Sequence, residues 1–543
     1  MTESSFSDQF AGLKRAAQES KKRTLNQLFE ESSDRSENYS FRLKGLNFDF
    51  SKTHINQSLL TEFEKLALDS GLLQQRDKLL TGGIVNPTEK RPALHADMRS
   101  ATPITAEIES QRRACYQFAE KVRQAEIAPT CGGRYQHIIH LGIGGSALGP
   151  QLLLDALAYG QTGATKQAEP SFNTHCIANI DGHALEPVMQ ICDPNRTLVI
   201  VASKTFTTTE TLSNANTVID WMCSQGIENP LSQIVAVTAS PNKAKSFGIA
   251  EDHILTFPEG LGGRYSIWSS VSLAAMISIG TEAFESMRLG AQKMDEHFAQ
   301  APVKENIPII AAMLDIWYGN AWGAPTRALF AYDSRLEMLV NYLQQLEMEN
   351  NGKNISRTGE AIQWQSSPIL WGGVGTDAQH AVFQLMHQGT HLTPVEFLAV
   401  IQTEHSLEGH HKCLLANCFA QSAALMKGRT YAEAEALLPA NIQSTEERDL
   451  LAKSKVFSGN RPSTTIVLDA LSPESFGMLI AFYEHRSFVS GTLWQINVFD
   501  QMGVELGKEL AKKYQKAIET GDTTPISAEL DSSTERLLNL VLD

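Results

Sequence analysis

The stretch Tyr135-Gln136-His137-Ile138-Ile139-His140-Leu141-Gly142-Ile143-Gly144-Gly145-Ser146-Ala147-Leu148-Gly149-Pro150 decides the fold class. A short apolar run, Tyr135–Leu141, enters a glycine-rich turn that opens into a helical pattern over Pro150–Tyr159. Strand, tight turn and helix in that order open a βαβ unit. Further strands are predicted at Thr174–Asn179, Thr197–Ala202 and Gln233–Thr238, and helices between and after them at His183–Ile191, Thr209–Met222 and Asn242–Phe247. Short buried strands alternating with amphipathic helices form a parallel sheet covered on both faces.

The same alternation returns further along. Arg327–Tyr332, Pro368–Leu370, Val395–Ile401 and Thr464–Leu468 read as strands, with helices at Leu336–Met348, Ala378–His387 and Lys412–Lys427. The helical stretch Glu282–Ala321 joins the two regions. Ahead of both, Asp8–Glu31 and Gln57–Leu72 carry helical periodicity, and Thr81–Thr105 is turn-rich. Two such regions in one chain suggest an active site in the cleft between them, and Trp494–Lys516 reads as one long helix able to pack back across that cleft. The fold class is therefore α/β: two doubly wound parallel-sheet domains with additional helices and a C-terminal helical arm. The expected divisions are 1–110 (N-terminal helical region), 111–281 (first α/β domain), 282–321 (connecting helices), 322–513 (second α/β domain) and 514–543 (arm). A chain of 543 residues exceeds a single hydrophobic core, in keeping with that division.

Composition narrows the function classes. With 42% hydrophobic and 20% charged residues the chain is an ordinary globular protein. A formal net charge of −15 speaks against nucleic acid or an anionic membrane as partner, both of which need a basic surface. It leaves a small anionic ligand open, since a few local donors outweigh distant, screened carboxylates. Met1–Lys22 lacks the apolar core of a signal peptide, and Val271–Ile279 is too short to span a bilayer. Seven scattered cysteines match no metal or redox spacing and read as free thiols in a reducing cytoplasm.

Two loops carry the ligand chemistry. Gly142 to Ala147 satisfies the G-x-G-x-x-A dinucleotide fingerprint in the right context, and Asp181 follows the next strand as a ribose-binding acid would. A phosphate of any origin also suits this helix N-terminus, so the turn alone leaves nicotinamide cofactor, sugar phosphate and a structural turn all open. The second loop, Ser203-Lys204-Thr205-Phe206-Thr207-Thr208-Thr209, decides among them. One hydroxyl suffices to cap a helix; five within seven positions offer converging donors to a compact dianion. A pyrophosphate resting on backbone amides has little use for them.

Gly142–Pro150 together with Ser203–Thr211 resembles the paired phosphosugar loops of sugar isomerase domains. Further segments resemble the phosphoglucose isomerase family: Gly262-Gly263-Arg264-Tyr265-Ser266-Ile267-Trp268-Ser269, Met348-Glu349-Asn350-Asn351-Gly352-Lys353, Gly375-Thr376-Asp377-Ala378-Gln379-His380-Ala381, Gly459–Ser463 and Phe499-Asp500-Gln501-Met502-Gly503-Val504-Glu505-Leu506-Gly507-Lys508. They occur in the family's order from about residue 135 to 514. The resemblance implies reversible isomerisation of glucose 6-phosphate to fructose 6-phosphate by ring opening and proton transfer through an enediolate, as in glycolysis and gluconeogenesis. It implies no cofactor and no metal, and a cytoplasmic homodimer whose active sites each take a histidine from the neighbouring subunit.

Residue by residue, Glu349 resembles the base that moves the proton between C2 and C1, a step that needs a positioned base. Arg264 resembles the group that stabilises the enediolate, a role suited to a permanent, planar charge. His380 and Lys508 resemble the pair that opens the ring and contacts substrate hydroxyls. Gly145, Ser146, Ser203, Lys204, Thr205 and Thr208 are expected to hold the phosphate. Gln345, one helical turn before Glu349, and Gln501 are expected to meet sugar hydroxyls. Taken singly, each of these side chains would more often be a solvated, capping or ion-paired residue; the surrounding motifs tilt the reading.

Two departures stand out: Ala147 occupies a position where many family members carry aspartate, and Asp377-Ala378 replaces a familiar Asn-Gly. Neither supplies a catalytic group. In the N-terminal region only Leu94-His95-Ala96-Asp97-Met98-Arg99 looks like a family segment. There Arg99 reads most plainly as an ordinary surface or ion-paired arginine, with an anion-facing role as the alternative. Rival functions are a non-catalytic sugar-phosphate regulator, a nicotinamide-dependent dehydrogenase resting on Gly142–Ala147, and a metal isomerase resting on His405, His410 and His411. Adjacent histidines on a regular helix do not easily face one ion, so a solvated or helix-end role suits that cluster better.

Overall fold

The computed structural model describes residues 3–158 and 171–542. Tyr159, the last residue of the predicted Pro150–Tyr159 helix, and Asp543, at the end of the predicted arm, lie outside them. The chain falls into two compact units, Met1–Val498 and Phe499–Asp543.

The first unit holds two sheets. Strands β1 (Ser40–Leu43), β2 (Leu46–Asp49), β8 (Thr326–Tyr332), β9 (Ile369–Val374), β10 (Val395–Gln402) and β11 (Ser463–Ala470) form one of them. Strands β3 (His137–Leu141), β4 (Asn173–Ile177), β5 (Thr197–Ala202), β6 (Ile234–Thr238) and β7 (Ile254–Thr256) form the other. The second of these is wholly parallel, in the order β4-β3-β5-β6-β7. β5 and β6 are buried along their whole length, which is why they read as unbroken apolar runs rather than alternating ones. Connections leave β3 toward one edge and β5 toward the other, so the crossovers diverge between these two strands. In an open α/β sheet a ligand binds beyond the carboxyl ends of the strands at such a point. The loops that start there are Gly142–Pro150 and Ser203–Thr208.

The parallel part of the larger sheet repeats the scheme in the order β9-β8-β10-β11. Its outer edge differs from expectation. The N-terminal region, predicted as helices and loops, contributes the hairpin β1–β2, and β2 pairs antiparallel with β11 through Phe48–Ile466 and its neighbours. Lys44 and Gly45 turn the hairpin with φ of 46° and 94°, the left-handed pair that matches strand twist. Two four-residue strands are too brief for their alternation to stand out. The three-residue β7 escaped notice for the same reason.

Several helices also differ from their predicted extents. Asp8–Glu31 is two helices, Glu3–Ser20 and Leu25–Glu31, the second started by a Thr24–Gln27 capping box. Glu282–Ala321 resolves into Thr281–Gln300, Ile307–Ile316 and a wider π-turn over Trp317–Trp322. Leu336–Met348 is not one regular helix. Asp333 caps a 3-10 turn at Ser334–Leu336, a short α-helix covers Leu339–Leu343, and a π-turn carries Gln344–Glu349. Trp494–Lys516 is not continuous either. Trp494 ends the helix Pro473–Leu493, after which Ile496 bridges Ser356 and the Arg357 amide donates to the Gln495 carbonyl at 2.7 Å. Those outside partners satisfy the backbone groups that a helix would have used.

Helix Pro473–Leu493, absent from the sequence reading, is buried at every residue from Ser475 to Leu493. Being buried all round, with Glu484, His485 and Arg486 paired inside the core, it lacks the stripe that betrays a surface helix. It packs chiefly along Thr281–Gln300 and Ile307–Ile316.

The C-terminal unit is helical: Glu505–Thr520, ended by the left-handed Gly521, and then Ser532–Leu542. Ala517, Ile526 and Leu538 form its small core, with Tyr514 and Leu530 packed against them.

Candidate active site

The glycine turn after β3 and the Arg264 segment are built against each other. A Cβ on Gly145 would lie 2.2 Å from the Gly263 carbonyl oxygen and 2.5 Å from the Arg264 nitrogen, so only glycine lets the two loops touch. The Ser266 hydroxyl clamps the contact, donating to the Gly145 carbonyl at 3.1 Å and the Gly263 carbonyl at 2.7 Å. Gly145 thus has a packing duty whatever ligand the turn meets. Gln345 joins the group from the π-turn, its amide nitrogen 3.0 Å from where a Gly144 Cβ would sit.

Across the switch point, β5 ends in the hydroxyl loop. Ser203 is buried and shares a 2.9 Å hydrogen bond with Thr208, while Thr205 and Thr207 pair at 2.8 Å. Phe206 adopts φ of +49° and buries its ring on Phe247. A left-handed conformation is costly for such a residue and is held here by the packing of its ring. Thr208 then stands at the N-cap of helix Thr209–Ser224, whose first amides are free to point at an anion. Lys204 folds its ammonium back onto the Leu261 carbonyl at 3.0 Å. Burial pushes this lysine down to about 8, helped by the charges of Arg91 and Arg264 and opposed by Glu89 and Glu259. Three cations therefore share one neighbourhood. Arg91, which forms an ion pair with Glu89 at 2.7 Å, was not singled out from the sequence.

Arg264 is buried. Its Nε donates to Asn350 Oδ1, and one Nη donates to the Val498 carbonyl at 2.6 Å. Its other Nη lies 3.6 Å from Glu349 Oε1, an ion pair beyond hydrogen-bond length. Glu349 Oε2 is buried and has no hydrogen-bond partner among the described residues. The backbone beneath Glu349 is fixed by Lys353, whose ammonium takes the Glu349, Asn350 and Asn497 carbonyls at 3.0, 2.9 and 3.0 Å. Asn350 donates in turn to the Tyr265 hydroxyl at 2.6 Å and the Ser487 hydroxyl at 2.8 Å. Asn350 and Lys353 lie inside a motif quoted from the sequence, yet only the fold gives them their positioning duties.

The remaining predicted residues fall elsewhere. Ser146 lies in the glycine turn, where its carbonyl meets the His140 ring at 2.7 Å. His380 is exposed in the first turn of helix Asp377–Gln388 and makes no hydrogen bond or ion pair with Glu349 or Arg264. Within the C-terminal unit, Lys508 is exposed and pairs with Glu505 at 3.2 Å, and Gln501 precedes the turn Met502–Val504. Arg99 is wholly buried and ion-paired to Asp295 and Glu484, which excludes the anion-facing alternative. His411 gives its ring to the Ile401 carbonyl at 2.8 Å, and His405 accepts from the Leu407 amide at 3.1 Å; both are committed to local structure.

A doubly wound α/β sheet with a hydroxyl-rich anion loop at its switch point, beside a buried guanidinium and a carboxylate, is the architecture of the sugar isomerase class. Comparison with known proteins narrows this. The family model described as Phosphoglucose isomerase matches residues 49–538, and the chain belongs to that family. A glucose-6-phosphate isomerase of Rhizorhabdus wittichii is 46% identical over 494 residues, covering 91% of this chain and 93% of the relative. One from Erythrobacter litoralis is 44% identical over 530 residues, with 95% and 96% coverage. The crystal structure of a glucose-6-phosphate isomerase from Chlamydia trachomatis is similar with a TM-score of 0.83 and 30% identity, covering 98% of both chains. The resemblance noted in the motifs thus extends over nearly the whole length, including the N-terminal region where few motifs stood out.

Proposed function

We propose that this chain is an aldose–ketose isomerase that interconverts glucose 6-phosphate and fructose 6-phosphate by proton transfer through an enediolate. Its membership of the phosphoglucose isomerase family and the names of its close relatives support the reaction. The observation that carries the mechanism is the Arg264–Glu349 pair, with a buried carboxylate oxygen that has no partner among the described residues. An unpaired buried acceptor is costly unless a ligand completes it.

In this reading Ser203, Thr205, Thr208 and Lys204, with the Gly145 and Ser146 turn, hold the phosphate, which does not react. Binding energy gathered there orients the sugar carbons at the other end. Glu349 takes the proton from C2 and returns it to C1. Arg264 faces the oxyanion that develops between these steps, and its charge persists at any working pH. Gln345 meets a sugar hydroxyl, as does Gln501.

His380 and Lys508 are assigned to ring opening, with His380 supplied by a second copy of the chain. Its exposure and its lack of contact with Glu349 support that assignment. So does the apolar surface around its helix: Leu385, Leu407 and Phe419 are 46%, 55% and 41% exposed, a face that a partner subunit would cover. The free state of all seven cysteines accords with a cytoplasmic enzyme.

The decisive measurement is a coupled assay that detects glucose 6-phosphate formed from fructose 6-phosphate, run on the intact protein and on Glu349→Gln. No turnover by folded, dimeric protein would end the isomerase reading; robust turnover by the variant would remove Glu349 as the base.

A further inference from the structure

The first sheet carries a second cluster of reactive side chains at the end opposite its ligand loops. We propose that His137, His175 and Cys192 form a binding site for a thiophilic divalent cation, zinc by its chemistry, at the amino-terminal end of this sheet. His175 of β4 sits opposite Ile139 of β3, and His137 lies two residues before Ile139, so both imidazoles project from one face. That face is covered by helix Gly182–Ile191, and Cys192 follows the last residue of this helix, buried in the same core. One ligand atom from each of the three residues lies within 4.8 Å of the others.

One ring nitrogen of each histidine is idle in the protein. His137 Nδ1 and His175 Nε2 are both buried and have no hydrogen-bond partner among the described residues. Buried polar atoms are nearly always satisfied by protein, water or an ion, and two orphans beside one thiol are seldom left without a ligand. Burial lowers the basicity of both rings, so their lone pairs are free to coordinate at neutral pH. Burial also pushes the Cys192 thiol up to about 11, so it enters the site protonated. On binding, the S–H bond breaks, the sulfur–metal bond forms, and one proton leaves to solvent.

Two nitrogens and one sulfur are the donors that zinc accepts in tetrahedral sites, with water in the fourth position. Bond lengths of about 2.0–2.3 Å require the three atoms to close in by roughly 1 Å, within reach of side-chain rotation. The five residues of β3 separate His137 from the glycine turn, on the order of 15 Å along the strand. The site is therefore structural: it ties β3, β4 and the end of a helix together without entering the isomerase chemistry.

Cobalt(II) serves as the probe, titrated into metal-free full-length protein. The expected result is a thiolate-to-cobalt charge-transfer band that saturates at one equivalent, and a rise in melting temperature with zinc. Cys192→Ser should abolish the band, His175→Ala should weaken binding at least about tenfold, and Cys131→Ser, which removes an exposed thiol at the same end of the sheet, should change nothing. Persistence of the band in Cys192→Ser, or its absence from the intact protein, overturns the proposal. If Cys192→Ser misfolds by circular dichroism, His175→Ala decides: unchanged affinity in that variant overturns it equally.

Discussion

Two arginines, Arg99 and Arg264, are buried near the stacked rings of His95 and Tyr265, and they are used in different ways. Arg99 donates to Asp295 at 2.9 and 2.5 Å and also to Glu484. The Trp268 indole takes the other Glu484 oxygen at 2.8 Å, and His485 lies 2.6 Å from Asp295. All four carboxylate oxygens are satisfied. Arg264 donates to the neutral Asn350 and Val498 oxygens, the Glu349 carboxylate stands off at 3.6 Å, and one oxygen of that carboxylate has no hydrogen-bond partner among the described residues. A closed cluster neutralises itself and ties helices together. An open one keeps an acceptor in reserve for a substrate.

If that contrast is right, it breaks most visibly at Glu349. Glu349→Gln is expected to lower kcat by about 10³- to 10⁴-fold while shifting the melting temperature by no more than about 2 °C, checked by coupled assay and thermal melting. Arg99→Met should do the reverse. Leaving the buried Asp295 and Glu484 without their guanidinium is expected to cost about 3–5 kcal/mol in urea unfolding, with kcat of the folded fraction within about tenfold of the parent. A large kcat loss with unchanged stability would mean that Arg99 belongs to the reaction.

Smaller effects sharpen the open side. Ser203→Ala and Thr208→Ala each remove one member of a hydroxyl pair in the anion loop. Each should raise KM for the sugar phosphate by roughly tenfold, about 1.4 kcal/mol, with little change in kcat under initial-rate conditions. The mildest effect is electrostatic. Lys204 loses its proton at about 8 in the free enzyme, so kcat/KM should decline as pH rises past that value, and Lys204→Gln should lower kcat/KM below pH 8 and abolish that decline. Stability moves the other way. The unfolded chain keeps the Lys204 proton to higher pH than the folded one, so between these two values this residue makes the folded state more stable as pH rises.

The motifs were legible because they are local. A strand running into Gly142–Pro150 and another into Ser203–Thr209 announce βαβ units and their anion loops within a few residues, as backbone periodicity and turn chemistry dictate. Glu349 and Arg264 were legible through the segments around them. Less legible was anything whose meaning depends on distant chain. The β1–β2 hairpin finds its partner more than 400 residues later in β11, and helix Pro473–Leu493 shows no amphipathic stripe because every side of it is covered. Asn350 and Lys353 were part of a quoted motif, but their work is to hold Arg264 and the Glu349 backbone, and that needed coordinates.

The sequence by itself determined that this chain builds parallel α/β sheets, carries a hydroxyl loop suited to a phosphate, and owns a carboxylate and an arginine in phosphoglucose isomerase surroundings. These are consequences of short-range pattern. Tertiary structure alone decided that the two loops start at one switch point, that Gly145 is the contact allowing the turn to meet Arg264, and that His137, His175 and Cys192 converge at the far end of the sheet. It also decided that the buried Arg99 is spent on the carboxylates of Asp295 and Glu484. Burial and hydrogen-bond satisfaction set that outcome, and both depend on residues hundreds of positions away.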